Sequence, residues 1–350
     1  MRRLPIYFVV DVSESMVGSP TKLLTSALDE VIGVLRQDPH CLETVHVSVI
    51  AFAGVAKPLT PLVDLVSFYP PKMPIGGGTA VGAALDVLMS EIDRSITKSS
   101  TDVKGDWSPL VFFITDGKPT DDPSEPVNRW LSEYSRFTTF VSFVLGDNAD
   151  MPLLNKVSDA VLALQESSEL EFKKFVDWVS SSIQAHSQPV NVGANSREGG
   201  ISLEKADELA LDVVSNDISF GHSDPDYVIL TGKCRNSHDP YLLKYKRPKV
   251  GVLQHVSREV FFLEGAYGLD DSYFEWSDPH FKGEAVSTEL LDGVSPCPHC
   301  GSPTTFAMCS CGGLMCLDAT LEANCPWCKK HIKFESTGAQ SSFDVIRGGG

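Results

Sequence analysis

The first half of the chain alternates between short apolar runs and longer segments whose apolar residues recur at helical spacing. The runs at 4–12 and 110–115 are almost continuously apolar, which is typical of strands buried on both faces of a parallel sheet. Together with further apolar segments they predict four strands, at 4–12, 45–53, 110–115 and 137–145. Helical spacing predicts helices at 21–36, 79–96 and 170–183. This alternation predicts an α/β domain with a doubly wound, mostly parallel sheet.

The pattern changes after residue 185. Residues 186–200 contain little apolar sequence and no periodicity, so we interpret them as a linker between a first domain at 1–185 and a second at 201–345. In the second domain, short apolar runs at 226–231 and 260–263 alternate with turn residues. The sequence therefore predicts a smaller, β-rich domain after the linker.

The charge and the hydropathy pattern exclude several classes of protein. The net charge of −17 disfavours general binding to a nucleic-acid backbone. No uncharged apolar run approaches the roughly 18 residues of a membrane span, and the first apolar run reaches Asp11 too early for a signal peptide. We therefore expect a cytoplasmic chain with no nucleic-acid or membrane partner. One short basic run is typical of a solvated surface: Lys244, Lys246, Arg247 and Lys249.

Three separated segments of the first domain carry oxygen-bearing side chains. Asp11, Ser13 and Ser15 lie at the carboxyl end of the first predicted strand, and Asp116 lies at the carboxyl end of the strand at 110–115. Thr79 follows three glycines at the start of a predicted helix. In open α/β sheets, sites form outside the carboxyl ends of the strands, where two of these segments lie. Carboxylate and hydroxyl oxygens suit Mg²⁺, Mn²⁺ or Ca²⁺, and they do not suit zinc or copper.

Only two of these five donors carry a negative charge. A divalent cation held by them is incompletely neutralised, so it retains water or accepts a further carboxylate. An aspartate at the end of a strand is commonly a helix cap or a turn former, and each segment alone has this simpler explanation. The combination is far more specific, and it predicts that the cation captures an acidic side chain from another molecule.

These segments resemble a known family. The stretches FVVDVSES (8–15), GGGT (76–79) and ITDG (114–117) are similar to the metal-ion-dependent adhesion site of von Willebrand factor type A domains. The resemblance covers residues 1–184. It implies that Ser13, Ser15 and Thr79 bind the cation directly, and that Asp11 and Asp116 bind it directly or through water. It also implies that a partner's carboxylate takes an open position on the metal.

The alternative interpretation is a metal-dependent phosphohydrolase or an ATPase-associated subunit that uses the same cation. A P-loop requires lysine where the nearest stretch, 77–84, has Ala83. An aspartyl-phosphate phosphatase requires a second acid where this chain has Ser13. We therefore expect a protein that is not an enzyme and has no catalytic residues.

Seven of the nine cysteines lie between Cys297 and Cys328. Two C-x-x-C knuckles predict one tetrahedral zinc site, in a zinc ribbon at 296–331, with four ligands: Cys297, Cys300, Cys325 and Cys328. The sequence between the knuckles predicts a hairpin that turns at 311–313. Such crowded thiols indicate a metal site rather than a disulfide framework.

Three further cysteines, Cys309, Cys311 and Cys316, exceed the needs of one zinc ion. With one histidine they predict a second zinc site, and the alternative is that they are small buried residues. The candidate histidines are His331, His299, His222, His238, His255 and His280. We expect Cys41 and Cys234 to be structural, and the zinc content to be one or two ions.

The order of the two predicted domains indicates a more specific resemblance. An adhesion-type domain followed by CPHCG, CSCGG and CPWC resembles the TerY-type proteins of bacterial tellurium-resistance and stress-response systems. The resemblance spans most of the chain, with only a loose match between Gly200 and Pro296. It implies an adaptor or regulator of a stress or defence phosphorylation module, with a protein kinase and a metal-dependent Ser/Thr phosphatase as partners.

Overall fold

A computed structural model of the chain describes residues 2–100, 104–146, 149–164, 169–187, 226–248, 260–281, 283–318, 320–334 and 342–348. These residues form two compact units, built mainly from 1–221 and from 222–350. The predicted linker lies outside the described residues from 188 onward, as do His222, His255 and Lys249. The proposed domain boundaries at 185 and 201 therefore stay a prediction.

The first unit is an α/β fold around one sheet of six strands in its described part. The strand order is β3-β2-β1-β4-β5-β6, and all neighbours are parallel except β2 and β3. The strands are β1 (Leu4–Asp11), β2 (Val45–Phe52), β3 (Ala56–Asp64), β4 (Leu110–Thr115), β5 (Thr139–Leu145) and β6 (Ala160–Leu164). The helices are α1 (Ser19–Leu35), α2 (Pro39–Thr44), α3 (Val81–Ser95), α4 (Ser124–Arg129), α5 (Met151–Val157) and α6 (Glu169–Ser187). The predicted doubly wound architecture is confirmed.

Aromatic side chains form the centre of the core beneath one face of this sheet. The ring of Phe113 in β4 stacks between those of Phe52 and Phe140, at centroid distances of 5.1 and 5.7 Å. Trp130 packs edge-on against Phe140 and donates a hydrogen bond from its indole to the Val157 carbonyl. This packing fixes β4 between β1 and β5, and so fixes the position of the residues that follow it. None of the helices in the described ranges is both long and apolar enough to cross a membrane.

Register places the ends of β1 and β4 side by side. Val10 pairs with Ile114, so Asp11 and Thr115 are the next residues on adjacent parallel strands. All eight residues of β1 and all six of β4 are buried. Two of the segments predicted to carry cation ligands therefore leave the sheet at the same edge.

The second unit is β-rich. Its larger sheet has the order β11-β9-β8-β7-β13-β12, and two-stranded ribbons pair β10 with β16 and β14 with β15. The elements are β7 (Tyr227–Lys233), β8 (Pro240–Lys246), β9 (Phe261–Gly268), α7 (Tyr273–Trp276), β10 (Ala285–Ser287), β11 (Leu291–Asp292), β12 (Thr304–Met308), β13 (Leu314–Leu317), β14 (Glu322–Asn324), β15 (His331–Lys333) and β16 (Asp344–Ile346). The predicted hairpin between the zinc knuckles is confirmed as β12 and β13.

The interpretation of the basic run as a solvated surface is wrong for Lys244. This lysine lies in the middle of β8, between β7 and β9, and is 3% exposed. Its ammonium lies 3.3 Å from the Glu264 carboxylate and 4.8 Å from the centre of the Tyr227 ring. An ion pair and an aromatic face therefore compensate the charge that the sequence pattern assigned to solvent.

We expect Phe113→Ala to lower the free energy of unfolding of the first unit by about 3–5 kcal/mol, because it leaves a cavity between two stacked rings. Phe137→Ala is the control, since Phe137 is 39% exposed and Phe113 only 1%. Urea denaturation of both variants measures the difference. Equal losses of stability would contradict the packing described here.

Candidate metal centres

The structure gathers eight cysteines into two groups of four. Site I contains Cys234, Cys297, Cys300 and Cys316. Site II contains Cys309, Cys311, Cys325 and Cys328. Within each group the sulfur atoms all lie within 4.8 Å of one another. Two candidate sites for a soft metal therefore exist within the described part of the second unit.

The spacing of the sulfurs fits tetrahedral zinc. Zinc–sulfur bonds of about 2.3 Å imply sulfur–sulfur distances of about 3.8 Å. Cys300 and Cys316 in site I lie 3.7 Å apart. In site II, Cys309 lies 3.6 Å from Cys328, and Cys311 lies 3.8 Å from Cys325. Disulfides, at about 2.05 Å, are excluded, and the donor set suits Zn²⁺ at both sites.

The two predicted knuckles adopt the same turn. The Cys297 amide donates to the carbonyl of Ser302, and the Gly301 amide donates back to the Cys297 carbonyl, both at 2.8 Å. The same two bonds recur in the knuckle at 325–330. The fifth residue of each turn has a positive φ, 71° at Gly301 and 64° at Lys329. The turn directs both cysteines of a C-x-x-C motif toward one point.

A third turn of this kind begins at Cys234, the residue directly after β7. The Cys234 amide donates to Asp239, the His238 amide donates back to Cys234, and His238 has a φ of 66°. Ser237 occupies the position that the second cysteine holds in the other two turns. The sequence CRNS is therefore a knuckle with a single thiol, and Cys316 of β13 supplies the missing ligand. The turn residues of CRNS were the signal in the sequence for this knuckle. Without a second cysteine, the segment does not match the C-x-x-C pattern.

The predicted partition of the cysteines is therefore corrected. Cys297 and Cys300 belong to site I, whereas Cys325 and Cys328 belong to site II. Cys234, which we had expected to be structural only, completes site I together with Cys316. Cys309 and Cys311 complete site II. The second site is completed by a cysteine, and no histidine of the described residues joins either group.

Backbone amides around the sites point at sulfur. The amides of Arg235, Cys311 and Trp327 donate to Cys316, Cys309 and Cys325, at 3.3 to 3.4 Å. Such bonds stabilise thiolates, since each places a partial positive charge on the anionic sulfur. The Trp327 indole donates to the Leu314 carbonyl at 2.7 Å, which holds the second knuckle against the hairpin.

The two sites differ in burial. In site I, Cys234 and Cys316 are completely buried and pack in the main core of the second unit with Tyr241 and Leu243. Site II lies in a smaller cluster, and its Cys311 is exposed. Site I is therefore part of the core itself, whereas site II stabilises the end of the hairpin.

The thiols ionise unequally without a metal. Burial, reinforced by the negative charge of Cys297, raises the pKa of Cys316. Partial burial opposes ionisation of Cys300, but hydrogen bonds from Ser302 outweigh it and lower its pKa to about 7. In site II, burial raises the pKa of Cys325 to about 12. Full ionisation of four clustered thiols requires a cation, so metal binding releases protons.

The donors predicted for the hard cation lie in buried positions. Asp11, Ser13, Ser15, Thr79 and Asp116 are all at most 6% exposed. The Thr115 hydroxyl donates to Asp11 Oδ2 at 2.6 Å and accepts a bond from the Gly117 amide. A Cβ atom on Gly117 would lie only 3.3 Å from Thr79 Oγ1. In the first unit, Thr79 therefore lies beside the backbone that immediately follows Asp116.

The two serines of the motif directly follow β1. Their hydroxyl oxygens lie 2.9 Å apart, and a parallel bridge pairs Ser13 with Gly76 at the start of the glycine loop. These oxygens have the chemistry of a Mg²⁺, Mn²⁺ or Ca²⁺ site. Joint coordination by all five side chains stays a prediction.

Comparison with known families agrees with this architecture. Residues 6–178 match the family model of the von Willebrand factor type A domain. Residues 224–350 match that of the TerY-C metal binding domain. The chain thus joins a von Willebrand factor type A domain to a TerY-C metal binding domain, as predicted.

Individual relatives cover only part of the chain. Human inter-alpha-trypsin inhibitor heavy chain H6 is 26% identical over 161 residues, which are 44% of this chain and 12% of that protein. A von Willebrand factor type A protein from Catenulispora acidiphila is 16% identical, with a TM-score of 0.42, over 52% of this chain and 43% of that one. The vWF domain of the type V pili tip protein Mfa5 from Porphyromonas gingivalis is 11% identical, with a TM-score of 0.40. The match covers 55% of this chain and 98% of that one. The chain thus spans less than half the length of the first two.

We expect Cys234→Ser to reduce the zinc content from two ions per chain to one, because Cys234 completes site I. Elemental analysis after dialysis against a moderate chelator measures the loss. Cys41→Ser is the control, since Cys41 is a fully buried thiol outside both sites. A Cys234→Ser variant that retains two ions would contradict this ligand assignment.

We expect strong chelation to unfold the second unit and to leave the first folded, because structural zinc supplies folding free energy directly. Hydrogen exchange followed by mass spectrometry distinguishes the units through peptides from β4 and from β8. Rapid exchange should appear only in β8. Protection of β8 in the absence of zinc would show that the metal is not structural.

Proposed function

We propose that this chain, a von Willebrand factor type A domain followed by a TerY-C metal binding domain, is a non-enzymatic adaptor. Its first domain binds a protein partner through a hard divalent cation, Mg²⁺ or alternatively Mn²⁺ or Ca²⁺. The cation is held by Asp11, Ser13, Ser15, Thr79 and Asp116. The partner supplies an acidic side chain to an open position on the metal.

The observation that best supports this proposal is the placement of oxygen donors in the first unit. Asp11 ends β1, Asp116 directly follows the adjacent parallel strand β4, and Thr79 lies against the residue after Asp116. Their carboxylate and hydroxyl oxygens are the donors that a hard cation prefers. Two carboxylates and three hydroxyls do not fill the coordination shell of the divalent ion in this proposal. A carboxylate from the partner completes that shell.

The start of helix α3 argues against the ATPase alternative. A phosphate-binding loop leaves the amides at a helix N-terminus free to bind phosphate. Here the amides of Gly82 and Ala83 bind the Asp121 carboxylate, at 3.1 and 3.0 Å. A carboxylate in this position repels phosphate, and Ala83 stands where a lysine would be required.

The second domain is a zinc-stabilised recognition module in this proposal. The resemblance to TerY-type proteins supports a protein kinase and a metal-dependent Ser/Thr phosphatase as partners, within a bacterial tellurium-resistance, stress or defence response. Clusters of reduced cysteines suit a reducing compartment, so we place the chain in the cytoplasm.

We expect the zinc-loaded chain to bind one Mn²⁺ ion, used as a probe, and Thr79→Ala to lower its affinity by about tenfold or more, the loss expected for one direct ligand. Electron paramagnetic resonance of free Mn²⁺ measures the binding. Asp122→Asn is the control, since Asp122 carries an exposed carboxylate and lies close to Asp116 in the sequence. A wild-type chain without a Mn²⁺ site would disprove the proposed function.

We expect capture of partner proteins from a lysate to require Mg²⁺ and to fail for Thr79→Ala, because the metal joins the two surfaces. Omission of Mg²⁺ is preferable to EDTA, which also removes zinc from the second domain. Metal-dependent turnover of ATP or of a generic phosphoester that Asp11→Ala abolishes would instead identify an enzyme.

A further inference from the structure

The segment at 117–123, which follows Asp116, binds the backbone of Thr79 at two points. The Thr79 amide donates to the Thr120 hydroxyl at 2.9 Å. The Thr120 amide donates to the Thr79 carbonyl at 3.0 Å. Thr79 is 2% exposed, so its amide has little access to water. Thr120 therefore satisfies both polar backbone groups of Thr79 and restricts its position.

The next residue of this segment caps helix α3. The helix begins at Val81, and its N-cap residue, Ala80, has no side chain that can accept a hydrogen bond. Asp121 supplies the acceptor instead, since its two carboxylate oxygens bind the amides of Gly82 and Ala83. Amides that a local serine or aspartate usually satisfies are thus bound by a residue from a distant segment.

Close approach between the segment and the helix depends on glycine. A Cβ atom on Gly82 would lie 2.8 Å from Asp121 Oδ2 and 3.1 Å from the Pro123 Cα. The second of these contacts is with backbone, which cannot move aside without displacing the segment. Gly82 therefore lets Asp121 reach the start of the helix.

The carboxyl group of Asp121 lies in a partly buried position. Burial raises the pKa of its carboxyl group, and hydrogen bonds from Ala83 and Gly82 act in the opposite direction. The positive end of the helix dipole adds to this compensation. By contrast, the neighbouring Asp122 is exposed and accepts a bond from the Ser124 amide within its own turn.

We propose that Thr120 and Asp121 are positioning residues for the cation site: they hold the Thr79 hydroxyl in place for the metal. This inference rests on the proposed function. The segment at 117–123 then connects two ligands, because it directly follows Asp116 and is hydrogen-bonded to Thr79. Thr120 fixes the backbone of Thr79, and Asp121 fixes the helix that continues from it. Neither residue contacts the metal in this arrangement.

The test compares Mn²⁺ binding by Thr120→Val and Thr120→Ser in the zinc-loaded full chain. Valine has nearly the shape of threonine but cannot accept the bond from the Thr79 amide, whereas serine can. We expect Thr120→Val to lower Mn²⁺ affinity by about tenfold, and Thr120→Ser to stay within about twofold of wild type. Thermal melting without Mn²⁺ checks that both variants are folded.

A second pair of variants keeps the test decisive if Thr120→Val does not fold. Asp121→Asn retains the volume of the side chain but only one acceptor oxygen, so we expect an affinity loss of about threefold. Asp122→Asn should match wild type. Folded Thr120→Val or Asp121→Asn chains with wild-type affinity would overturn the positioning role. A wild-type chain that binds no Mn²⁺ would instead overturn the proposed function.

Discussion

Negatively charged ligands repel one another at the distances that a metal site requires, and this repulsion governs the second unit. Burial raises the pKa of Cys316, and the negative charge of Cys297 in the same cluster raises it further. A cation among the sulfurs converts this repulsion into attraction. Site I lies in the main core, where its cysteines join the turn after β7, the first knuckle and β13. Metal binding at site I would therefore be coupled to packing of that core.

Much of the fold could be predicted from apolar periodicity, and two of the strands that were missed, β3 and β8, each have a physical reason for it. The strands β1, β2, β4 and β5 lie within two residues of their predicted limits, because strands buried on both faces leave continuous apolar runs. The sequence did not reveal β3, an antiparallel edge strand that contains two prolines and no fully buried residue. It also concealed β8, because the lysines of that strand are compensated by groups from other strands. Tertiary partners of this kind leave no trace in local hydropathy.

The candidate sites, like the fold, could be predicted only in part from the sequence. The proximity of Asp11 to the end of β4 was predictable, because ligand sites of open α/β sheets lie outside the carboxyl ends of the strands. Whether all five donors form one cation site stays a prediction. The presence of two cysteine clusters was partly predictable from the number of thiols, but their partition was not. It depends on β13 lying parallel to β7, with Leu314 opposite Gly232, which brings Cys316 to Cys234. The local clue was the turn CRNS, in which serine replaces the second cysteine.

The two sets of donors, thiolates in one unit and oxygens in the other, select different metals. Thiolates bind zinc far more tightly than they bind Mg²⁺ or Ca²⁺, whereas hydroxyls and carboxylates suit the hard cations. The two cysteine sites therefore favour zinc over the hard cations. Under the proposed function, a hard cation with few charged ligands would exchange more readily, and a partner's carboxylate would raise its affinity by completing its coordination. By linkage, the metal would raise the affinity for the partner by the same factor. Under the proposed function, zinc at the two cysteine sites would keep the second unit folded while attachment to a partner responds to the hard cation.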